Sequence, residues 1–469
     1  MRTRTTLAAA AALLAACTPR SAPPVTAGTR IFDGQAQALA PSPDGSRLAW
    51  LTGCGPGEGP GRPSGCTLLV APVGGGAPVR VAEGIAPAAG SFAWMTDGAL
   101  LALARRDPAT GAGDLFRWSP VAEARLLAPR VTSFATGAGG RLVMASGGEV
   151  LVVAPGADPT RLTGGTGAFE VAVAPAPGRA VAARARGAGG SPVLLLWRNG
   201  AGEGVAVARD VGSFAFSSDG AWLAAVAGVA PGTEGSLLAL RVEPGPGGRA
   251  EPVRVARGVG PFRWAEGGAR LAWLEGFDPR AHAGRLASGV PGEGAVALGD
   301  RVTSFEIAPG GLQVAFVRHV TQGGYAANLD LSPTAAAEPG TLAQDPAGFT
   351  FSPDGRWLWY RAGCAPSGDA CALFRAPAAG LGPSQAPTRI ADGVVAFSLA
   401  PGSSDRALLA FGRRDGAGVD LSAWTGARLV PLDTRVSPSS AVWLGPDGRR
   451  AAWVGGSAER PAILVADVP

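Results

Sequence analysis

The sequence predicts an all-β fold made of about ten copies of one four-stranded unit. Three observations predict it. A hairpin phrase recurs along the chain at a near-constant interval, each copy alternates apolar and polar residues with a period of two, and no stretch beyond the first 17 residues carries a convincing 3.6-residue pattern. The clearest copies are Phe349-Thr350-Phe351-Ser352-Pro353-Asp354-Gly355-Arg356-Trp357-Leu358-Trp359 and Phe214-Ala215-Phe216-Ser217-Ser218-Asp219-Gly220-Ala221-Trp222-Leu223-Ala224. Each reads as a short apolar strand, an Asp-Gly turn that tolerates positive φ, and a second apolar strand.

In chain order, residues 1–16 read as a lipoprotein signal peptide. Arg2 and Arg4 form a positive start, and Leu7 to Ala16 form an apolar stretch too short to span a bilayer. Leu14-Ala15-Ala16-Cys17 resembles the bacterial lipobox. That resemblance implies cleavage before Cys17, diacylation of its thiol and a lipid anchor outside the cytoplasm. Thr18 stands where Asp would resemble an inner-membrane retention signal, which points to the periplasmic face of the outer membrane if the host is Gram-negative. Residues 17–28 then form the lipidated Cys with a flexible tether, and residues 29–469 the repeat array.

The repeats align on a turn glycine: Gly45, Gly98, Gly140, Gly178, Gly220, Gly268, Gly311, Gly355, a loosened copy at Gly402, and Gly448. The nine steps average about 45 residues, the period of a four-stranded propeller blade. Strands a and b flank the turn, as in Phe92-Ala93-Trp94 and Leu48-Ala49-Trp50. A second hairpin supplies strands c and d, as in Leu68-Leu69-Val70-Ala71 followed by Val79-Arg80-Val81. The last copy offers strand c at Ile463-Leu464-Val465-Ala466 and then stops at Pro469. Thr29-Arg30-Ile31-Phe32-Asp33-Gly34 matches strand d and its crossover. The economical reading is a single ring in which the N-terminal strand completes the final blade and hides an open edge. The alternative is two tandem propellers of about five blades.

Ser42-Pro43-Asp44-Gly45-Ser46-Arg47-Leu48-Ala49-Trp50 resembles the WD-like repeat of TolB-type propellers and of the propeller domains that precede prolyl oligopeptidases, and the likeness extends over residues 29–469. It implies a β-propeller lipoprotein of TolB-like kind, displaying loops for protein contacts. No hydrolase domain is expected, because no sequence follows the last repeat.

Cys54, Cys66, Cys364 and Cys371 form an even set, which in an exported protein reads as disulfides. Local pairing places each bridge across a b–c loop, although four Cys allow three connectivities. No metal or cofactor is expected. There are only two His, His282 and His319, and no Gly-x-Ser-x-Gly elbow or phosphate-binding Gly loop with Lys. Asn328-Leu329-Asp330 reads as a polar strand edge.

All 41 basic residues are Arg against 36 acidic ones, a net charge of +5 with no dense basic run, so nucleic acid is not an expected partner. In a four-stranded blade the b–c loops and d–a crossovers emerge on one face. Several b-strand exits carry Arg105, Arg106, Arg184, Arg186, Arg318 with His319, Arg361, Arg413 and Arg414. These residues form a candidate collar for an anionic envelope component or an envelope protein, since Arg binds carboxylate and phosphate bidentately. Asp33, Glu83, Asp210 and Asp392 on the d–a crossovers oppose part of that charge. The repeated Phe214, Phe216 and Trp222 positions read as packing between blades, Tyr325 as a loop residue, and Glu170 and Glu306 as isolated strand carboxylates. The expectation is a monomeric, membrane-anchored binding module without catalysis. The alternative is a propeller hydrolase or lyase acting on a small molecule or saccharide in the central tunnel.

Overall fold

A computed structural model describes the chain except residues 1–27, 56–64, 89, 156, 163, 165–166, 176–179, 230–234, 244–250, 321–325, 365–369, 381–385, 414–417, 438–440 and 458–459. Cys17, Tyr325, Arg414 and the residues read as signal peptide and tether, up to Ala27, therefore lie outside the described residues. What is described is all-β, with no α-helix and with antiparallel four-stranded sheets in a β-propeller-type arrangement.

The repeats are numbered here from the one turning at Gly45 to the one turning at Gly448. The fourth is the sheet Ala168–Val173, Val181–Arg186, Pro192–Trp197, Val205–Arg209, each strand pairing with the next. The fifth is Ser213–Phe216, Trp222–Ala227, Ser236–Arg241, Val253–Arg257. Elsewhere one long strand serves two repeats. Ala122–Thr136 pairs through its first part with Gly113–Ser119 and through its second with Leu142–Ser146. Ala295–Ile307 and Thr388–Leu399 do the same further along.

The turn itself is a closed hydrogen-bonded loop. The Ser42 hydroxyl donates to Asp44 (2.5 Å) while accepting the Arg47 N–H (3.0 Å), and Asp44 also accepts the Ser46 N–H (3.1 Å). Ser217 with Asp219, and Ser352 with Asp354, repeat the arrangement. Gly45, Gly220, Gly355 and Gly448 each take a left-handed φ of 67–69°. In the sixth repeat the left-handed residue is Gly267 (φ 80°), one place before the expected Gly268. The sequence there is Glu-Gly-Gly, so no turn Asp fixes the position and either glycine can turn.

Strand Thr29–Asp33 pairs antiparallel with Arg460–Asp467, with Thr29 opposite Val465, Arg30 opposite Leu464 and Phe32 opposite Ile463. It thereby adds the fourth strand to the sheet of Val442–Leu444, Arg450–Ser457 and Arg460–Asp467. The core is divided into clusters that sit between neighbouring repeats. Trp222 and Ala224 of the fifth pack with Leu271 and Trp273 of the sixth. Ala272 and Leu274 of the sixth pack with Val314 and Phe316 of the seventh. One cluster joins the two ends of the described chain: Ile31, Trp443 and Ile463 with Leu48, Trp50 and Val73. Phe214, Phe216 and Trp222 all lie in these inter-repeat clusters. Trp50, Trp273, Phe316, Trp359 and Trp453 of the b-strands are fully buried in them.

Candidate functional site

Disulfides join Cys54 to Cys66 and Cys364 to Cys371, each closing a b–c loop at its base. They hold two loops of the face on which the sequence placed its arginines.

Most of those guanidiniums are committed to neighbours. Arg106 donates to the Gly111 carbonyl of its own loop (3.0 Å) and to Thr132 O (3.4 Å), which begins the inner strand of the next repeat. Arg184 donates to Val211 O (3.3 Å) and Gly212 O in the same relative place, pairs with Glu170 (2.6 Å) and lies over the Phe169 ring. Arg361 donates to Val394 O (3.3 Å), Val395 O and Ala347 O (3.0 Å). These three arginines clamp one repeat to the next, and their planar forks suit two carbonyls at once. Arg318 pairs with the fully buried Asp330, which also accepts the Thr341 hydroxyl (2.6 Å). Asp330 is therefore the buried half of an ion pair, where the sequence read a polar strand edge. Arg413 pairs with Asp420 (2.7 Å). Arg105 is exposed, 3.5 Å from Asp114 and over the Phe116 ring, and Arg186 is exposed. His319 is half-buried, and its Nδ1 has no hydrogen-bond partner among the described residues. Glu306 accepts the Thr350 hydroxyl (3.0 Å) and the Phe351 N–H (3.1 Å) of the next repeat. Burial pushes its carboxyl above the usual range against these hydrogen bonds and the nearby Arg263. Among the described residues no group of three His, Cys, Asp or Glu gathers as a metal site would require.

A feature the sequence reading missed lies in the backbone of the same face. The b-strand exits turn through a left-handed residue that is Gly53, Gly147, Gly228, Gly276, Gly363 and Gly456 in six repeats, and Arg105 (φ 53°) in the second. The d–a crossovers turn through Gly84, Gly167, Gly258 and Gly393 in four places, through Asp210 and Asp345 in two, and through Arg130 (φ 52°) and Arg301 (φ 54°) in two more. A side chain with a Cβ is disfavoured in this region by roughly 1–2 kcal/mol. Three arginines thus stand where glycine is the unstrained choice. The signal was in the sequence: five crossovers place this residue ten positions before the turn glycine, and two of those five residues are Arg.

Arg301 also lines an open cleft of about 680 Å³ on the sixth repeat, together with Arg257 and Arg285 and the carboxylates Glu275, Asp278 and Asp300. None of these was singled out in the sequence. A second cleft, about 750 Å³, lies on the opposite face where Gly45 and Asp44 meet Trp443 and Asp447.

No protein-family model matches the chain, and no curated protein matches it significantly. Solved structures resemble it in part. A eukaryotic initiation factor is 13% identical with a TM-score of 0.47, over 76% of this chain and 88% of that one. A candidate 6-phosphogluconolactonase from Bacteroides fragilis is 14% identical with a TM-score of 0.33, over 75% and 96%. A candidate TolB from Agrobacterium tumefaciens is 13% identical with a TM-score of 0.28, over 47% and 84%. Likeness at this level says nothing about what this chain binds or does.

Proposed function

We propose that this chain is a lipid-anchored, extracytoplasmic propeller that binds an envelope protein or an anionic envelope component through its b–c and d–a face, without catalysis. The left-handed arginines carry the reading. Strained residues persist where function repays the strain, and Arg105, Arg130 and Arg301 put long cations on one face at positions the fold would rather give to glycine. The two disulfides fit an oxidising compartment, and Cys17 within its lipobox-like context supplies the anchor.

The reading takes ten blades in one ring over two propellers of five. Two tandem rings would need a seam between the fifth repeat and the first. Instead the fifth packs onto the sixth through Trp222 and Trp273, and the tenth packs onto the first through Trp443 and Trp50.

The test is photo-cross-linking in intact cells from a reactive residue placed at Arg130. A discrete, salt-sensitive adduct is expected, and it should weaken in Arg105→Gly, which removes an exposed cation and suits the left-handed turn. An adduct unchanged by that variant, or none at all, overturns the proposal.

The enzyme reading has one observation in its favour, the half-buried Glu306 on an inner strand with its raised pKa. Turnover of a lactone or glycoside that Glu306→Gln abolishes would carry it. The two hydrogen bonds that tie Glu306 to the next repeat favour a strut instead.

A further inference from the structure

We propose that the cleft on the sixth repeat binds a short extended peptide segment of a partner protein, one that carries both an acidic and a basic side chain. This rests on the reading of that face as the binding face and names what one part of it recognises. The cleft lies between two crossovers, one entering the sixth repeat after Arg257 and one leaving it at Asp300-Arg301, beside the b–c loop that follows Asp278.

Its six charged groups are unequally committed. Arg285 and Glu275 pair with each other across neighbouring strands. Asp278 accepts the Arg280 N–H (2.8 Å). Arg301 is exposed and donates through one nitrogen to Val320 O (3.2 Å), which steadies its fork. Arg257 and Asp300 are exposed and have no side-chain partner among the described residues. The cleft therefore offers two cationic donors and one anionic acceptor.

A simple anion would meet three carboxylates in this cleft, and an apolar ligand would strip water from six charges without return. A ligand bearing both signs matches the pattern. Arg257 and Arg301 belong to successive crossovers, so a ligand that meets both bridges two strand ends, as an extended peptide can. The cleft is lined by both crossovers. Its volume also falls within the roughly 300–1,000 Å³ usual for ligand clefts. The observation that separates this cleft from incidental surface charge is Arg301 itself, held at φ 54° where the preceding crossover uses Gly258.

The experiment is panning of a random pentapeptide display library on the full chain. Enriched sequences are expected to contain at least one Asp or Glu and at least one Arg or Lys. A synthetic consensus peptide should bind at least roughly tenfold more weakly to Arg301→Gly and to Arg257→Ser, the effect expected for losing a charge-assisted hydrogen bond. The thermal midpoint of Arg301→Gly should not fall, because glycine suits the left-handed turn. Inorganic phosphate at millimolar concentration should not compete. Enrichment of purely acidic or purely apolar peptides, no enrichment, displacement by phosphate, or unchanged affinity in both variants overturns the proposal. If the cleft variants fail this test while the cross-link from Arg130 survives, only the cleft assignment falls. If both are lost, the binding face itself is wrong.

Discussion

Ser352 is fully buried, and its hydroxyl does two jobs, donating to Asp354 and accepting the Trp357 N–H. Ser352→Ala leaves that N–H without its partner, so denaturant unfolding should show a loss of about 1–3 kcal/mol. The same change at the exposed Ser46 should stay within about 0.5 kcal/mol. The turn carboxylates titrate with the fold. Hydroxyls of Ser42 and Ser46 hold Asp44 down at about 2. For Asp354, partial burial works the other way, but Ser352 and Arg356 still bring it to about 2. Both values lie below the ordinary 3.8, so their contribution is present above pH 3.8 and is lost as pH falls through 2. Asp44→Asn with Asp354→Asn should flatten the acid limb of a melting-temperature profile. Glu306 has the opposite sign. Its raised pKa makes the protonated form the better folded one, so its contribution is full below 4.5 and lost as pH rises through the raised value. Glu306→Gln keeps an acceptor for Thr350 and Phe351 and removes the charge, so the variant should melt at least as high as the parent at pH 7 and lose that component of the pH dependence. A drop of several degrees at pH 7 would show that the charge itself is needed.

The strand is the scale at which the sequence was most legible. Period-two alternation is local, and Asp-Gly announces its own backbone angle, so hairpins, their order and the Thr29–Asp33 strand are all legible in the residues themselves. The fate of the arginines was not legible in the same way. Arg184 meets Gly212, and Arg361 meets Val395, only because neighbouring sheets stack, a relation that no single repeat encodes. The cleft was hidden for a similar reason: Arg257, Arg285 and Arg301 come from three separate strands and converge through sheet order alone. The turn in the sixth repeat slipped by one residue where the turn Asp is missing, a reminder that glycine permits a turn while Asp fixes it. The two b–c bridges close loops with sequence separations of 12 and 7 residues. Cys54→Ser with Cys66→Ser should cost about 2–3 kcal/mol by loop entropy. Comparing melts of that variant with melts of the reduced parent checks the figure.

At the scale of the whole molecule, stability depends on the seam. Ile31 is 8% exposed, Phe32 lies 5.2 Å from the Trp50 ring, and both belong to the cluster that joins the chain's two ends. Ile31→Ala should cost about 2–5 kcal/mol, as large-to-small changes in a core do, and hydrogen exchange should quicken first at Ile463 and Leu464. Equal protection there in parent and variant would mean that the seam contributes little. A linear stack of sheets can fray from either end, whereas a joined one has no end to fray from. The order of synthesis then acquires a meaning. Every other sheet can assemble from contiguous chain as it emerges, but the last must wait for a strand made more than 400 residues earlier. Thr29–Asp33 therefore finds its partner only once Arg460–Asp467 has been made, like a clasp fastened after the necklace is strung.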